Sequence, residues 1–130
     1  MGLDVGDKRI GVALSDPYGI LASPLTIISR QNEAVDIESI IHIVSQNQVG
    51  LIIVGLPRSM NGSLNKQAEK VKAFTQNLGK QSRVPIELRD ERLSTVSARR
   101  LMQDARNKRA RHDDAIAAAI ILQGYLDEKH

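Results

Sequence analysis

Gly2–Val5 and Arg9–Ser15 are two short apolar runs separated only by Gly6-Asp7-Lys8. So short a connection leaves one arrangement open, an antiparallel hairpin, and it constrains how the rest of the chain is laid down. In the second run Ile10, Val12 and Leu14 alternate with small or polar residues, the period of a strand with one face on a core. Ile20–Ile28 reads as a third strand, and Pro24 within it marks an edge or an irregularity, because proline cannot donate to a central ladder. The period then changes. Glu33–Gln46 carries Val35, Ile37, Ile40, Ile41 and Val44, mostly at helical spacing, and predicts an amphipathic helix stopped by Gly50. Leu51–Val54 is a continuous apolar run, as in a strand covered on both faces. Gly55–Ser63 predicts a loop that turns at Asn61-Gly62. Leu64–Gly79 predicts a second helix with Ala68, Val71, Phe74 and Leu78 inward, and Val84–Leu88 a further strand. Ser94 or Thr95 caps a third helix reaching Met102, a basic loop follows, and a last helix runs from Asp113 or Asp114 through Leu126.

The order βββ-α-β-α-β-α-α predicts an α/β protein. Its mixed five-stranded sheet combines an antiparallel opening meander with parallel strands and carries helices on both faces. The last helix is apolar nearly all round from Ala115 to Leu122 and is expected to be buried. That run is far short of the roughly 18 residues of a membrane span. No charged-then-apolar leader opens the chain, so a cytoplasmic protein without a membrane partner is expected. A length of 130 residues suits a single domain over 1–130, and 42% apolar with 25% charged residues suits a globular one. With no cysteine, disulfide scaffolds, thiolate zinc sites and cysteine nucleophiles are excluded.

Charge is unevenly spread. The net charge is +3, yet Arg99, Arg100, Arg106, Lys108, Arg109 and Arg111 face a single acid, Asp104, between positions 99 and 112. The remaining chain holds 12 cations and 14 acids. A concentrated basic segment suits a polyanion, although a solvated helix face would carry the same charges. Only Tyr18, Phe74 and Tyr125 are aromatic, which argues against a stacking platform for unpaired bases.

Three acids stand at the ends of core elements: Asp4 in the first strand, Glu91 after the last strand, and Asp114 at the head of the final helix. If the first strand lies parallel to the Leu51 and Val84 strands, Asp4 and Glu91 share the carboxyl edge of the sheet, where sites collect in open sheets. The last helix can bring Asp114 there. Two carboxylates about 4 Å apart repel by about 4 kcal/mol at an effective dielectric near 20. Hard divalent cations relieve that repulsion and prefer oxygen ligands, and two of them suit phosphodiester hydrolysis. Taken singly, each acid has an ordinary explanation: turn chemistry for Asp4, a surface pair with Arg89 or Arg92 for Glu91, a helix cap for Asp113 or Asp114. The metal reading rests on their joint placement.

The segment Gly2-Leu3-Asp4-Val5-Gly6-Asp7-Lys8-Arg9-Ile10-Gly11-Val12-Ala13-Leu14-Ser15-Asp16 resembles the opening of the YqgF family. So do Ile53-Val54-Gly55-Leu56-Pro57 with Met60-Asn61-Gly62-Ser63, Asp90-Glu91-Arg92-Leu93-Ser94-Thr95, and Asp114-Ala115-Ile116-Ala117-Ala118-Ala119-Ile120-Ile121-Leu122-Gln123 with Tyr125-Leu126. The family comprises RNase H-like proteins described as pre-16S rRNA nucleases and formerly as Holliday junction resolvases. The resemblance implies an RNase H-like fold and a metal-dependent nuclease that matures the 5′ end of 16S rRNA in ribosome biogenesis. It implies Asp4, Glu91 and Asp114 as catalytic residues and ligands of Mg²⁺ or Mn²⁺, two ions together, with Asp113 an alternative to Asp114. Lys8, Arg9 and the cations Arg99, Arg100, Arg106, Lys108, Arg109 and Arg111 are expected to contact phosphates of a pre-rRNA. The chain departs from the family pattern in opening three residues before Asp4 and in a short basic loop before Asp114.

Three other readings compete. The same chemistry on four-way DNA junctions would make a resolvase, a task that usually takes a symmetric dimer; the sequence leaves monomer and homodimer open. A phosphate-binding ATPase or sugar-kinase-like domain shares the Asp-x-Gly turn but needs a second lobe. A non-catalytic RNA-binding assembly factor would bind RNA in a salt-sensitive way without cleaving it.

Overall fold

The computed structural model describes residues 1–57, 65–90 and 113–129. The expected helix from Ser94 or Thr95 to Met102 and the Asn61-Gly62 turn lie outside the described residues. The elements, in order, are β1 (Gly2–Val5), β2 (Arg9–Ser15), β3 (Ala22–Ser29), α1 (Glu33–Gln46), β4 (Ile52–Leu56), α2 (Lys66–Gln81), β5 (Ile86–Asp90) and α3 (Asp113–Lys129). The strands form one sheet in the order β3-β2-β1-β4-β5. The β1–β2 and β2–β3 pairs are antiparallel and the β1–β4 and β4–β5 pairs parallel, the expected mixed sheet.

Both faces of the sheet are covered. Leu3, Val5, Ile10, Val12, Ile52, Val54 and Leu56 meet Ile37 and Ile40 of α1 and Ala68, Val71, Phe74 and Leu78 of α2 in one core. On the other face, Ala13 and Ile53 meet Ala118, Ile121, Leu122 and Leu126 of α3. Two-sided coverage is why β4 is apolar at every position. Each helix of the first layer starts on an asparagine. Asn32 accepts a hydrogen bond from the Val35 amide at 3.0 Å, and Asn65 accepts one from the Ala68 amide at 2.8 Å.

Several boundaries differ from the sequence expectation. β3 begins at Ala22 rather than Ile20. It is an edge strand whose pairing to β2 shifts between Val12 and Ala13, leaving Leu25 as an extra residue beside Pro24, a bulge. α1 stops at Asn47, whose amide donates to the Ile43 carbonyl, and Gln48 turns the chain at φ 53, so Gly50 is not what ends the helix. β4 continues through Gly55 and Leu56, because these pair with Arg89 and Asp90. β5 starts at Ile86 rather than Val84. Ser82 closes a local turn on both the amide and the carbonyl of Val84, and the next residue is Pro85, which has no amide to donate. α2 spans Lys66–Gln81 rather than Leu64–Gly79. The last helix is not buried all round. Ala115, Ala118, Ile121, Leu122 and Leu126 are buried, at spacings of three and four, while Ile116, Ala117, Ala119 and Ile120 are half-buried. The helix lies flat on the sheet, and its alanines permit that closeness. No described helix is long and apolar enough to cross a membrane.

Candidate active site

β1, β4 and β5 run parallel, so Val5, Leu56 and Asp90 mark one edge of the sheet. Asp4 lies one residue inside that edge, half-buried, with Gly11 as its register partner on β2. Side chains alternate along a strand, so Asp4 shares its face with Gly2, Gly11 and Ala13, the face under α3.

Two glycines let α3 lie there. A Cβ on Gly2 would stand 2.6 Å from the Ala118 carbonyl oxygen, and one on Gly11 would stand 1.8 Å from the Asp114 carbonyl oxygen. No other residue type fits at Gly11 without displacing helix backbone. α3 therefore runs antiparallel to β1, its first turn over Gly11 beside Asp4 and its next turns over Gly2. Two acids 110 positions apart in the chain are thus brought to one sheet edge. The sequence pattern gave no reason to single out Gly11. A glycine in a strand signals close backbone approach in general, but the partner is visible only in three dimensions.

Asp114 is engaged. Its Oδ2 accepts a charge-assisted hydrogen bond from Arg9 Nε at 2.6 Å, and its side chain is 32% exposed against 58% for Arg9. Arg9, expected to face phosphates, thus reaches the final helix across the edge. Lys8 is exposed on the β1–β2 turn and its carbonyl accepts from the Arg30 amide at 2.9 Å. Asp7 on the same turn lies 3.5 Å from Lys70 Nζ on α2.

Glu91 is the residue after β5 and lies outside the described residues, as do Arg99, Arg100, Arg106, Lys108, Arg109 and Arg111. The side chain of Asp113 also lies outside them. Among the described residues no three His, Cys, Asp or Glu side chains form a metal-binding group. Arg89 bonds Glu128 on α3 at 2.8 Å, and this contact holds the Glu128 carboxyl below its usual range. The bond ties β5 to the last turn of α3.

A cavity of about 480 Å³ opens at the opposite end of β1, lined among others by Leu14, Asp16, Leu51 and Tyr125. Its one carboxylate, Asp16, is consumed by the Leu21 and Ile20 amides at 2.9 and 2.7 Å, which hold it below the usual carboxylate range. The carboxylate edge is the candidate site.

Comparison with known proteins bears on the family and the fold. Residues 1–128 match the model of the RuvX family, described as Holliday junction resolvase. A Dehalococcoides mccartyi protein named "Putative pre-16S rRNA nuclease" is 53% identical over 125 residues, covering 95% of this chain and 94% of its own. A Thermoanaerobacter pseudethanolicus protein of the same name is 48% identical over 133 residues, covering 99% and 96%. Among solved structures, Thermus thermophilus RuvC in complex with a Holliday junction superposes with a TM-score of 0.62 at 11% identity, over 98% of this chain and 94% of that one. Fowlpox virus resolvase bound to Holliday junction DNA gives 0.57 at 12% identity, over 98% and 96%. At such identity the likeness carries the fold alone, and the fold is that of these resolvases, the RNase H-like arrangement.

Proposed function

The chain belongs to the RuvX (YqgF) family, and from that membership we propose that it is a metal-dependent nuclease that hydrolyses phosphodiester bonds in the precursor of 16S rRNA. One observation carries the reading beyond the family name. The first turn of α3 sits on Gly11, the register partner of Asp4, so the Asp114 backbone lies beside Asp4 at the carboxyl edge of the sheet.

The donor set fits a hard divalent cation. Its described donors are carboxylate oxygens, the ligands such an ion prefers, and Asp114 Oδ2 would exchange its bond to Arg9, 2.6 Å away, for the ion. Asp4, Glu91 and Asp114 would hold Mg²⁺ or Mn²⁺, two ions in the full reading. Such ions supply Lewis acidity at the phosphodiester and lower the pKa of water. The chain's own part is to hold and orient. Asp4 is fixed within a paired strand. Asp114 is carried by a helix whose first turn is seated on Gly11. Lys8 and Arg9, with the cations from Arg99 to Arg111, bind the phosphate backbone and steer the RNA to the edge. The whole chain, residues 1–130, works as one domain, and a pre-rRNA substrate places it in the cytoplasm.

The second reading keeps the chemistry and changes the substrate. The family description and the DNA-bound neighbours are of Holliday junction resolvases, whereas the relatives near 50% identity are named for pre-16S rRNA. We favour the RNA, because those relatives match in sequence and the DNA-bound neighbours in fold alone. Cleavage of a 5′-extended 16S rRNA fragment and of a four-way DNA junction, assayed side by side with Mg²⁺ and Mn²⁺, separates the two. Metal-dependent cutting of the RNA at a defined position supports the proposal. Paired symmetric nicks in the junction with intact RNA would transfer it to the resolvase, and binding of RNA without cleavage of either would leave an assembly factor.

A further inference from the structure

Asp36 is the one buried charged residue among the described residues, and its side chain is 2% exposed. Its partner is Arg30, just past the end of β3: Arg30 Nε donates to Asp36 Oδ2 at 3.0 Å. The other Asp36 oxygen accepts from the Gln31 amide at 3.1 Å. Arg30 does more than neutralise it. A second guanidinium nitrogen donates to the Gly6 carbonyl at 3.0 Å, and the Arg30 amide donates to the Lys8 carbonyl at 2.9 Å. The guanidinium also lies over the Phe74 ring, 5.0 Å from its centre. Arg30 thus joins β3, the start of α1, the middle of α2 and both ends of the Gly6-Asp7-Lys8 turn.

A buried ion pair is weak evidence for stability, since an apolar pair of similar volume often holds a fold as well. What an apolar pair cannot do is grip a carbonyl oxygen. The planar fork of arginine bonds Asp36 and Gly6 at once, a geometry lysine cannot reproduce. The gripped turn begins two residues after Asp4, carries Lys8 and leads into Arg9, the residue that bonds Asp114.

We infer that Arg30 is a positioning residue, which by gripping the Gly6 carbonyl fixes the β1–β2 turn so that Lys8 and Arg9 stand at the carboxylate edge. The catalytic consequence rests on the nuclease reading; the grip itself does not.

The test compares the full chain with Arg30→Lys and with the double variant Arg30→Met/Asp36→Leu, which replaces the pair by apolar side chains. Four quantities are read: the thermal midpoint, hydrogen exchange of the Gly6 amide, which bonds the Arg9 carbonyl at 2.9 Å, and kcat and KM on the 16S precursor fragment. Loss of one such restraint is expected to speed Gly6 exchange about tenfold. In both variants kcat should fall by about 10- to 100-fold, as for a misplacement near 1 Å, while the double variant keeps its thermal midpoint. Unchanged Gly6 exchange in folded variants overturns the inference whatever the activity does. Faster exchange with wild-type kcat and KM overturns it too, because the turn's order would then serve nothing. If the wild-type chain cleaves no nucleic acid, the nuclease reading fails, and Gly6 exchange alone still decides whether Arg30 holds the turn.

Discussion

Gly11→Ala is the smallest change that attacks the site without touching an acid. The added Cβ would lie 1.8 Å from the Asp114 carbonyl oxygen, 2.2 Å from its carbonyl carbon and 2.8 Å from the Ala115 nitrogen. Carbon contacts settle at about 3.5–4.0 Å, so the first turn of α3 must retreat by about 1.5–2 Å. All three obstructing atoms are backbone, and no rotamer change relieves them. Overpacking of this kind costs about 1–3 kcal/mol, or about 4–12 °C in the thermal midpoint of a chain this size. The effect on the site should be larger than the effect on the fold. Asp114 rides on the displaced turn, and misplacing a participating group by about 1 Å lowers a rate about 100-fold. The assay is a thermal melt beside Mn²⁺ binding by calorimetry and cleavage of the precursor RNA. A Gly11→Ala protein that melts, binds Mn²⁺ and cleaves like the wild type would refute the close approach, and with it the proposal that Asp4 and Asp114 share a metal site.

Three further outcomes are expected. Asp36→Asn leaves Arg30 partly buried without its counter-charge and should cost about 3 kcal/mol in urea unfolding, the lower end for a broken buried pair since Arg30 is 22% exposed. Arg9→Gln removes an exposed pair and should change stability by less than about 1 kcal/mol, yet weaken RNA binding and reduce its salt slope by about one. Asp16 is held below its ordinary pKa by the Leu21 and Ile20 amides. A depressed carboxyl contributes stability above its unfolded value near 3.9 and loses it as pH falls through the folded value. The Ile20 and Leu21 amides should therefore hold their protection at pH 5 and lose it only at more acid pH, as hydrogen exchange would record, and Asp16→Asn should lose that acid dependence.

Much of the frame is written in local pattern. The three-residue link between β1 and β2 dictates the hairpin, and α1 has the bounds its periodicity predicts. Patterns mislead where tertiary pairing decides. Gly55 looks like a breaker, but a parallel neighbour keeps it in β4, and Val84 looks like strand until Ser82 and Pro85 take it out. The last helix looks buried all round because alanine is apolar, yet alanine here serves approach on one face only. At the site, Asp4 and Asp114 stand out by position at element ends. The devices that set them in place do not. Gly11 reads as an ordinary small residue in a strand. Arg30 and Asp36 belong to no sequence pattern, and only the fold pairs them and sets Arg30 on the Gly6 carbonyl.

The proposed role of Asp4, Glu91 and Asp114 is to hold divalent cations for RNA hydrolysis. It is tested most directly by cleavage of a 5′-extended 16S rRNA fragment across an Mg²⁺ and Mn²⁺ titration, with wild type and Asp4→Asn in parallel. Cleavage should rise with metal in the wild type and be abolished in Asp4→Asn, whose thermal melt and RNA binding stay near native. Equal cleavage by Asp4→Asn, or cleavage indifferent to the metal, would contradict it.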